Sequence, residues 1–306
     1  MLISYSFSRF SGKFHQNKRE SGDGPKKCYR RMCYLCLVMQ RRTYLKGAAG
    51  AAATFTMAGC LGGGGGDTIT IGSDIPYRPF EYRTTENELV GFDVDIAQAV
   101  FTDELGYEHE FQETSFDTII GSLNNGNFRV IMSAMTITED RTEEIDFSDP
   151  YFTAYQTAIV LNSSDISSKE DLRGVAVGVQ KGTTGESAAK SLKEEFDGDL
   201  TIQSYDQVTG AFDALRNNQV SAVINDNTVN AEFAEQSDNV RFLEGTGAAE
   251  EQGKENAPPY LTFTVEEYGI GFRKDDDELR EEVNGALQTI RDNGTYDEIY
   301  SKYFSG

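Results

Sequence analysis

The chain has 306 residues, 38% of them hydrophobic, and a formal net charge of −22; it is long enough to bury one or two cores. From Cys60 onward there is no second cysteine and one histidine, His109. That excludes an internal disulfide, histidine-ligated zinc and Ser-His-Asp or Cys-His catalysis in this part. Eleven Lys and Arg against two acids precede Cys60, leaving 17 basic and 48 acidic residues after it, a balance of about −31 that repels nucleic acid and anionic lipid. The acids are spread through periodic apolar segments, so they describe a folded acidic surface rather than a disordered tail. Such a surface serves solubility, or work in molar salt, where screening acts over roughly 3 Å; its density favours the second.

Cys28, Cys33 and Cys36 lack a nearby fourth ligand for a tetrahedral site. Residues 1–38 are expected to be a mis-assigned or unstructured extension ahead of Met39. Residues 39–59 combine basic residues, a weakly apolar run of about a dozen residues and small residues before Cys60, the layout of a signal peptide. The run is too short for a membrane span, which needs about 20 apolar residues. Arg41-Arg42 resembles a twin-arginine export signal, and Met57-Ala58-Gly59-Cys60 resembles a lipobox whose cysteine takes a lipid. Gly62 to Gly66 is a flexible tether by composition.

Strand and helix patterns alternate after the tether. Thr68 to Gly72 reads as a strand, Asp93 to Leu105 as an amphipathic helix with Ile96, Ala97, Val100, Phe101 and Leu105 on one face, and Phe116 to Leu123 as a second helix. Strand Arg129 to Ser133 follows. Val175 to Val179 is a buried strand leading through Gly182-Thr183-Thr184-Gly185 into a helix with Ala188, Ala189, Leu192 and Phe196 on one side. The order repeats with helix Val208 to Arg216 and strand Val220 to Ile224, ending at Asn225-Asp226. Leu279, Val283, Leu287 and Ile290 form a helical stripe stopped at Gly294, before a last helix with Tyr296, Ile299, Tyr300 and Tyr303. Two such sets imply two α/β lobes whose strand ends face one cleft. Gly245 to Pro259 reads as a surface loop of the second lobe.

Three strand-end loops carry the chemistry a zwitterion needs. Asp74 to Phe80 supplies an acid and two aromatics, Ser133 to Arg141 supplies hydroxyls and a guanidinium that can fork onto a carboxylate, and Asp226 ends the third. Gly182 to Gly185 is not a P-loop, since no Gly-Lys-Ser/Thr follows. As a helix N-terminus it suits a carboxylate. Asp93 and Asp95 are explained by a helix start that favours acids.

At Tyr77 to Phe80, Gly91 to Ala97, Met135 to Arg141, Ile145 to Tyr151, Val177 to Gly185, Val223 to Asp226, Gly271 to Lys274 and Gly294 to Tyr300, the chain resembles the polar amino-acid solute-binding proteins of ABC transporters. The likeness runs in order from Thr68 to Phe304. It implies a type II periplasmic-binding-protein clamshell, each lobe a mixed, mainly parallel sheet flanked by helices, joined by two hinge strands. The lobes are expected at 67–157 plus 265–306 and at 158–264. Combined with the acidity, the resemblance points to a haloarchaeal member: monomeric, without cofactor or nucleic-acid partner, lipid-anchored on the outer membrane face, and delivering a polar amino acid to a permease and its ATPase.

Carried over by position, the resemblance implies that Arg141 grips the α-carboxylate, helped by Thr136 and the backbone at Thr183, Thr184 and Gly185. Asp226 takes the α-ammonium with the Ala134 carbonyl and Thr136 hydroxyl, in the loop that includes Met135. Tyr77, Phe80 and Phe116 sandwich the side chain, and Asp74 lies at its far end. Lys181 at the rim favours an acidic or amide side chain, whereas Asp74 favours a basic or amide one. Ala134 stands where some relatives carry serine, and Gly185 where some carry glutamine. Two rivals remain: a cleft enzyme of the same fold, a cyclohexadienyl or arogenate dehydratase, with Glu113, Glu139 or Glu267 as acid or base, and a ligand-sensing module.

Overall fold

The computed structural model describes residues 68–254 and 257–304. The expectations for the extension, the signal with Arg41 and Arg42, Cys60 and the glycine tether lie outside the described residues.

The elements run β1 (Thr68–Ser73), β2 (Tyr82–Arg83), β3 (Leu89–Val90), α1 (Phe92–Ala97), β4 (Glu108–Glu113), α2 (Ile119–Asn124), β5 (Val130–Ile131), α3 (Glu139–Glu144), β6 (Asp146–Phe147) and β7 (Phe152–Leu161). Then follow β8 (Ala176–Gln180), α4 (Thr184–Glu195), β9 (Thr201–Tyr205), α5 (Val208–Arg216), β10 (Ala222–Asp226), α6 (Asn227–Glu235), β11 (Val240–Phe242) and α7 (Ala248–Glu251). The chain returns through β12 (Thr262–Tyr268) and β13 (Gly271–Phe272) to α8 (Asp277–Asp292) and α9 (Thr295–Phe304).

One sheet has the order β4-β1-β5-β13-β6, with β4, β1 and β5 parallel and β13 antiparallel to its neighbours. The other has the order β11-β7-β10-β8-β9, with β9, β8 and β10 parallel and β12 added along β7. These are the two lobes of the expected clamshell. Strands β7 and β12 are the hinge: they pair antiparallel from Phe152↔Tyr268 to Thr157↔Thr262, and β7 then continues into the second sheet against β10 and β11.

The second lobe shows how alternation builds layers. Val177, Val179, Ala222 and Ile224 face Ala188, Ala189 and Leu192 of α4 in one apolar cluster, while Val223 and Ile159 face Ala211, Phe212 and Leu215 of α5 in another. A period of two sends successive side chains to opposite faces, so both faces need a helical cover. Helix α8 buries the predicted stripe Leu279, Val283, Leu287 and Ile290.

The structure differs from the sequence expectations at three places. The helix after Gly91 is α-helical only to Ala97 and widens into a π-helix over Gln98–Glu104. The stretch ending at Arg141, expected as a loop, contains α3: the Thr138 hydroxyl accepts from the Arg141 N–H at 3.3 Å, and Glu139 and Asp140 occupy the first turn, where acids suit the helix dipole. The 245–259 stretch carries the single turn α7.

Phe80 is not on the cleft wall. Its ring has no exposure and sits among Phe92 at 6.1 Å, Phe152 at 5.1 Å, Tyr268 at 5.4 Å and Phe304 at 5.7 Å. The loop turns between Tyr77 and Phe80, where Glu81 N–H returns to the Tyr77 carbonyl at 3.0 Å, so one aromatic faces the cleft and the other joins α1, the hinge and α9. Phe80→Ala should therefore act as a core truncation, costing about 3–5 kcal/mol of stability as a lowered urea midpoint. An unchanged midpoint with weakened ligand binding would return Phe80 to the wall.

Candidate functional site

Asp74, Tyr77, Phe116, Ser133, Ala134, Thr136, Gln180, Thr183, Thr184 and Asp226 line one narrow cavity between the lobes, with a volume of about 10 Å³. A groove of about 1030 Å³ runs along α4, α7 and β12 and shares Thr136 and Thr184 with the cavity. Its lining includes none of Asp74, Tyr77, Phe116 and Asp226, the acids and aromatics that the smaller cavity brings together beside Arg141. The smaller cavity is the candidate site.

Arg141 projects from the first turn of α3 and is 9% exposed. Its Nη1 donates to the Thr136 carbonyl at 2.7 Å and its Nη2 to the Gly182 carbonyl at 3.2 Å, with the Phe116 ring centre 5.2 Å away. The guanidinium thus touches both lobes. Burial lowers its pKa, and the charges of Glu266 and Asp226 oppose that. Asp226 closes β10 at the N-cap position of α6, but its side chain makes no capping bond. It turns instead into the cleft, where Tyr77 Oη and Gln156 Nε2 donate to its two oxygens.

Across the cavity, Asp74 accepts from Gln180 Nε2, while its backbone N–H donates to Ser133 Oγ at 3.0 Å. Ser133 donates onward to Glu81 at 2.9 Å. Ala134 holds φ at 45°, a left-handed conformation that non-glycine residues adopt at a cost. Its N–H is fixed by the buried Asp93 carboxylate at 2.9 Å, which also accepts from Tyr151 Oη at 2.9 Å. Asp93 therefore does more than favour a helix start: it braces the backbone under the cavity. Thr183 caps α4, accepting from Glu186 N–H at 3.2 Å and donating to the Gln180 carbonyl at 2.7 Å.

Three other expected contacts lie elsewhere. Met135 is fully buried among Ile119, Leu123, Ile145 and Phe147, because it alternates with Ala134 and Thr136 along the loop. Gly185 is buried inside α4, where an added Cβ would meet Gln156 Oε1 and the Ile224 carbonyl at 2.9 Å each; its role is to let Gln156 approach. The Lys181 ammonium is 2.6 Å from Asp117 on the opposite lobe and half-exposed. Of the two conflicting cues for the ligand side chain, Asp74 lines the cavity and Lys181 is engaged at the rim.

Gln156, Gln180 and Glu266 were not singled out from sequence. Glu266, on β12, is 5% exposed and accepts from Thr136 Oγ1 at 2.6 Å, Thr184 Oγ1 at 2.7 Å and Thr264 Oγ1 at 2.8 Å. The acid-base candidates Glu113, Glu139 and Glu267 are exposed residues outside the cavity lining.

Residues 69–306 match the family model of the bacterial extracellular solute-binding proteins, family 3. The chain belongs to this family. Among its relatives, the arginine-binding extracellular protein ArtP of Bacillus subtilis is 30% identical over 262 residues, covering 84% of this chain and 95% of ArtP. The glutamine-binding ABC transporter protein GlnH of the same organism is 34% identical over 241 residues, covering 78% and 81%. An ancestral arginine-binding protein solved with arginine superposes with a TM-score of 0.69 at 36% identity, covering 78% of this chain and 98% of that one. As a solute-binding protein of this family, the chain has the two-lobed clamshell derived above.

The electrostatics make the site proton-sensitive. Burial, reinforced by Glu266, pushes Asp226 up to about 7, against the Tyr77 hydrogen bond and the Arg141 charge. Burial likewise pushes Asp74 up to about 6, opposed by Gln180. Each carboxyl therefore costs stability progressively as pH rises from its unfolded value of 3.8 to its folded one. A cation placed against either would lower its pKa, so binding an ammonium-bearing ligand should release protons. Calorimetry of the binding ligand in buffers of different ionisation heat should show release near about pH 6, with affinity rising toward neutrality and levelling above Asp226's folded pKa. Proton uptake would contradict this assignment.

Proposed function

We propose that this protein captures a polar amino acid with a basic side chain outside the cell and presents it to an ABC importer. The observation that carries the reading is one buried guanidinium, Arg141, and one buried carboxylate, Asp226, set around a cleft walled by Tyr77 and Phe116. Arg141 then grips the α-carboxylate together with the free N–H groups at the start of α4. Asp226 and the Ala134 carbonyl take the α-ammonium, Tyr77 and Phe116 flank the aliphatic carbons, and Asp74 meets a cationic end. Among the relatives, those named for arginine support a basic ligand, while GlnH, named for glutamine, supports the amide alternative.

The order of Arg41-Arg42, the apolar run and Cys60 supports twin-arginine export followed by lipid anchoring, and the acidic mature chain supports a haloarchaeal protein working in high salt. The protein acts as a monomer without a cofactor and performs no reaction.

The reading is tested by a thermal-shift screen of the twenty amino acids in molar salt. Arginine or lysine at about 100 times its dissociation constant should stabilise the protein by roughly 2.7 kcal/mol, and no shift with any amino acid would sink the assignment. Arg141→Ala removes charge-assisted hydrogen bonds of roughly 1.5–3 kcal/mol each and should abolish the shift. Export is tested separately: changing Arg41 and Arg42 to Lys should leave precursor in the cytoplasm, and normal export would refute the twin-arginine route.

A further inference from the structure

A threonine hydroxyl has a single hydrogen to donate, and two of those lining the cleft are already committed. Thr136 Oγ1 of the first lobe and Thr184 Oγ1 of the second both reach the same oxygen, Glu266 Oε2, at 2.6 and 2.7 Å. A carboxylate only accepts, so both hydroxyls donate to it. Gln156 Nε2 adds a contact at 3.3 Å to the same oxygen and donates as well to Asp226. Glu266 thus joins both lobes and both hinge strands, and its charge acts on Arg141 and Asp226 together.

We propose that Glu266 is a specificity-determining residue: it withdraws the Thr136 and Thr184 hydroxyls from the ligand's carboxylate and sets the cleft's charge so that a cationic amino acid is preferred over a neutral one. Asp74, Asp226 and Glu266 stand as three carboxyl groups around the single Arg141 guanidinium, so the region is short of positive charge. A neutral zwitterion leaves that shortage in place, whereas a ligand with a cationic side chain reduces it. Buried charge without a partner is costly, so the difference falls directly on selectivity. The ligand's carboxylate is left to Arg141, which has five N–H donors and hydrogen bonds to two carbonyls, and to the start of α4. The inference rests on the proposed amino-acid function and adds to it the residue that chooses among amino acids.

The test is calorimetric titration of the full chain with arginine and with glutamine. Glu266→Gln should lower the arginine-to-glutamine affinity ratio tenfold, with a gain for glutamine, and any fall of threefold or more supports the proposal. A smaller change in folded protein overturns it. Glu267→Gln, one residue along the same strand and exposed, should leave the ratio within threefold; an equal fall there would mean a general charge effect and would also overturn it. Should Glu266→Gln fail to fold, Glu266→Met, which removes the same charge and acceptor with a side chain of similar length, is read by the same arginine-to-glutamine ratio and the same threefold bound. If the wild-type protein binds neither ligand, the amino-acid reading falls and takes this inference with it; binding with an unmoved ratio removes the inference alone.

Discussion

The antiparallel pairing of β7 with β12 is the constraint on which the rest of the molecule depends. Residues directly opposite in such a pair share a face, so Phe152 with Tyr268, Ala154 with Glu266, and Gln156 with Thr264 all lie on one side of a two-stranded ribbon. At one end that face enters the aromatic core, where the Phe152 and Tyr268 rings are 5.5 Å apart. A few residues along it becomes polar, where Gln156 donates to Asp226 and Glu266 accepts from Thr136 and Thr184, three residues that line the cavity. The same ribbon anchors the lobes and supplies the floor between them, so ligand geometry and lobe geometry cannot vary independently.

Much of this was legible in the sequence. Helix α5 was read with its observed bounds, and β1, β8 and α8 nearly so, because their apolar residues follow one clear period. Arg141, Asp226, Asp74 and Tyr77 stood out as charged or amphipathic residues at strand ends. What failed was parity. On an extended strand, one step exchanges inside for outside: Glu267, the acid or base candidate of the rival enzyme reading, is exposed, while its neighbour Glu266 faces inward. Parity also separates Met135, which enters the core, from Ala134 and Thr136, which line the cavity. Phe80 leaves the cavity wall because the chain turns back at Glu81, a reversal that no periodicity records.

The buried acids behind the cavity form a second layer that sequence could not reveal. Glu81 and Asp93 come from different segments and meet the backbone at Ser133 and Ala134 only after folding. Burial raises both, Glu81 well above the ordinary carboxylate range and Asp93 to about 6. Their hydrogen bonds hold the left-handed turn at Ala134, so this part of the cavity wall rests on groups outside the lining. A substitution there would loosen the site without altering its lining.

The ion pair between Lys181 and Asp117 has a different character from these buried contacts. It spans the rim of the cleft, with its lysine about half exposed, and exposed pairs lose most of their attraction as ions crowd around them. Tyr77 and Asp226, and Gln180 and Asp74, join the lobes where salt does not reach. The clamshell therefore has two kinds of fastening. In a dilute medium the rim clasp adds to the grip; in brine it falls nearly silent, and the mouth opens as readily as the interior permits. A fastening divided in this way separates what salt can loosen from what it cannot: the outer edge follows the water around it, while the buried contacts across the lobes do not.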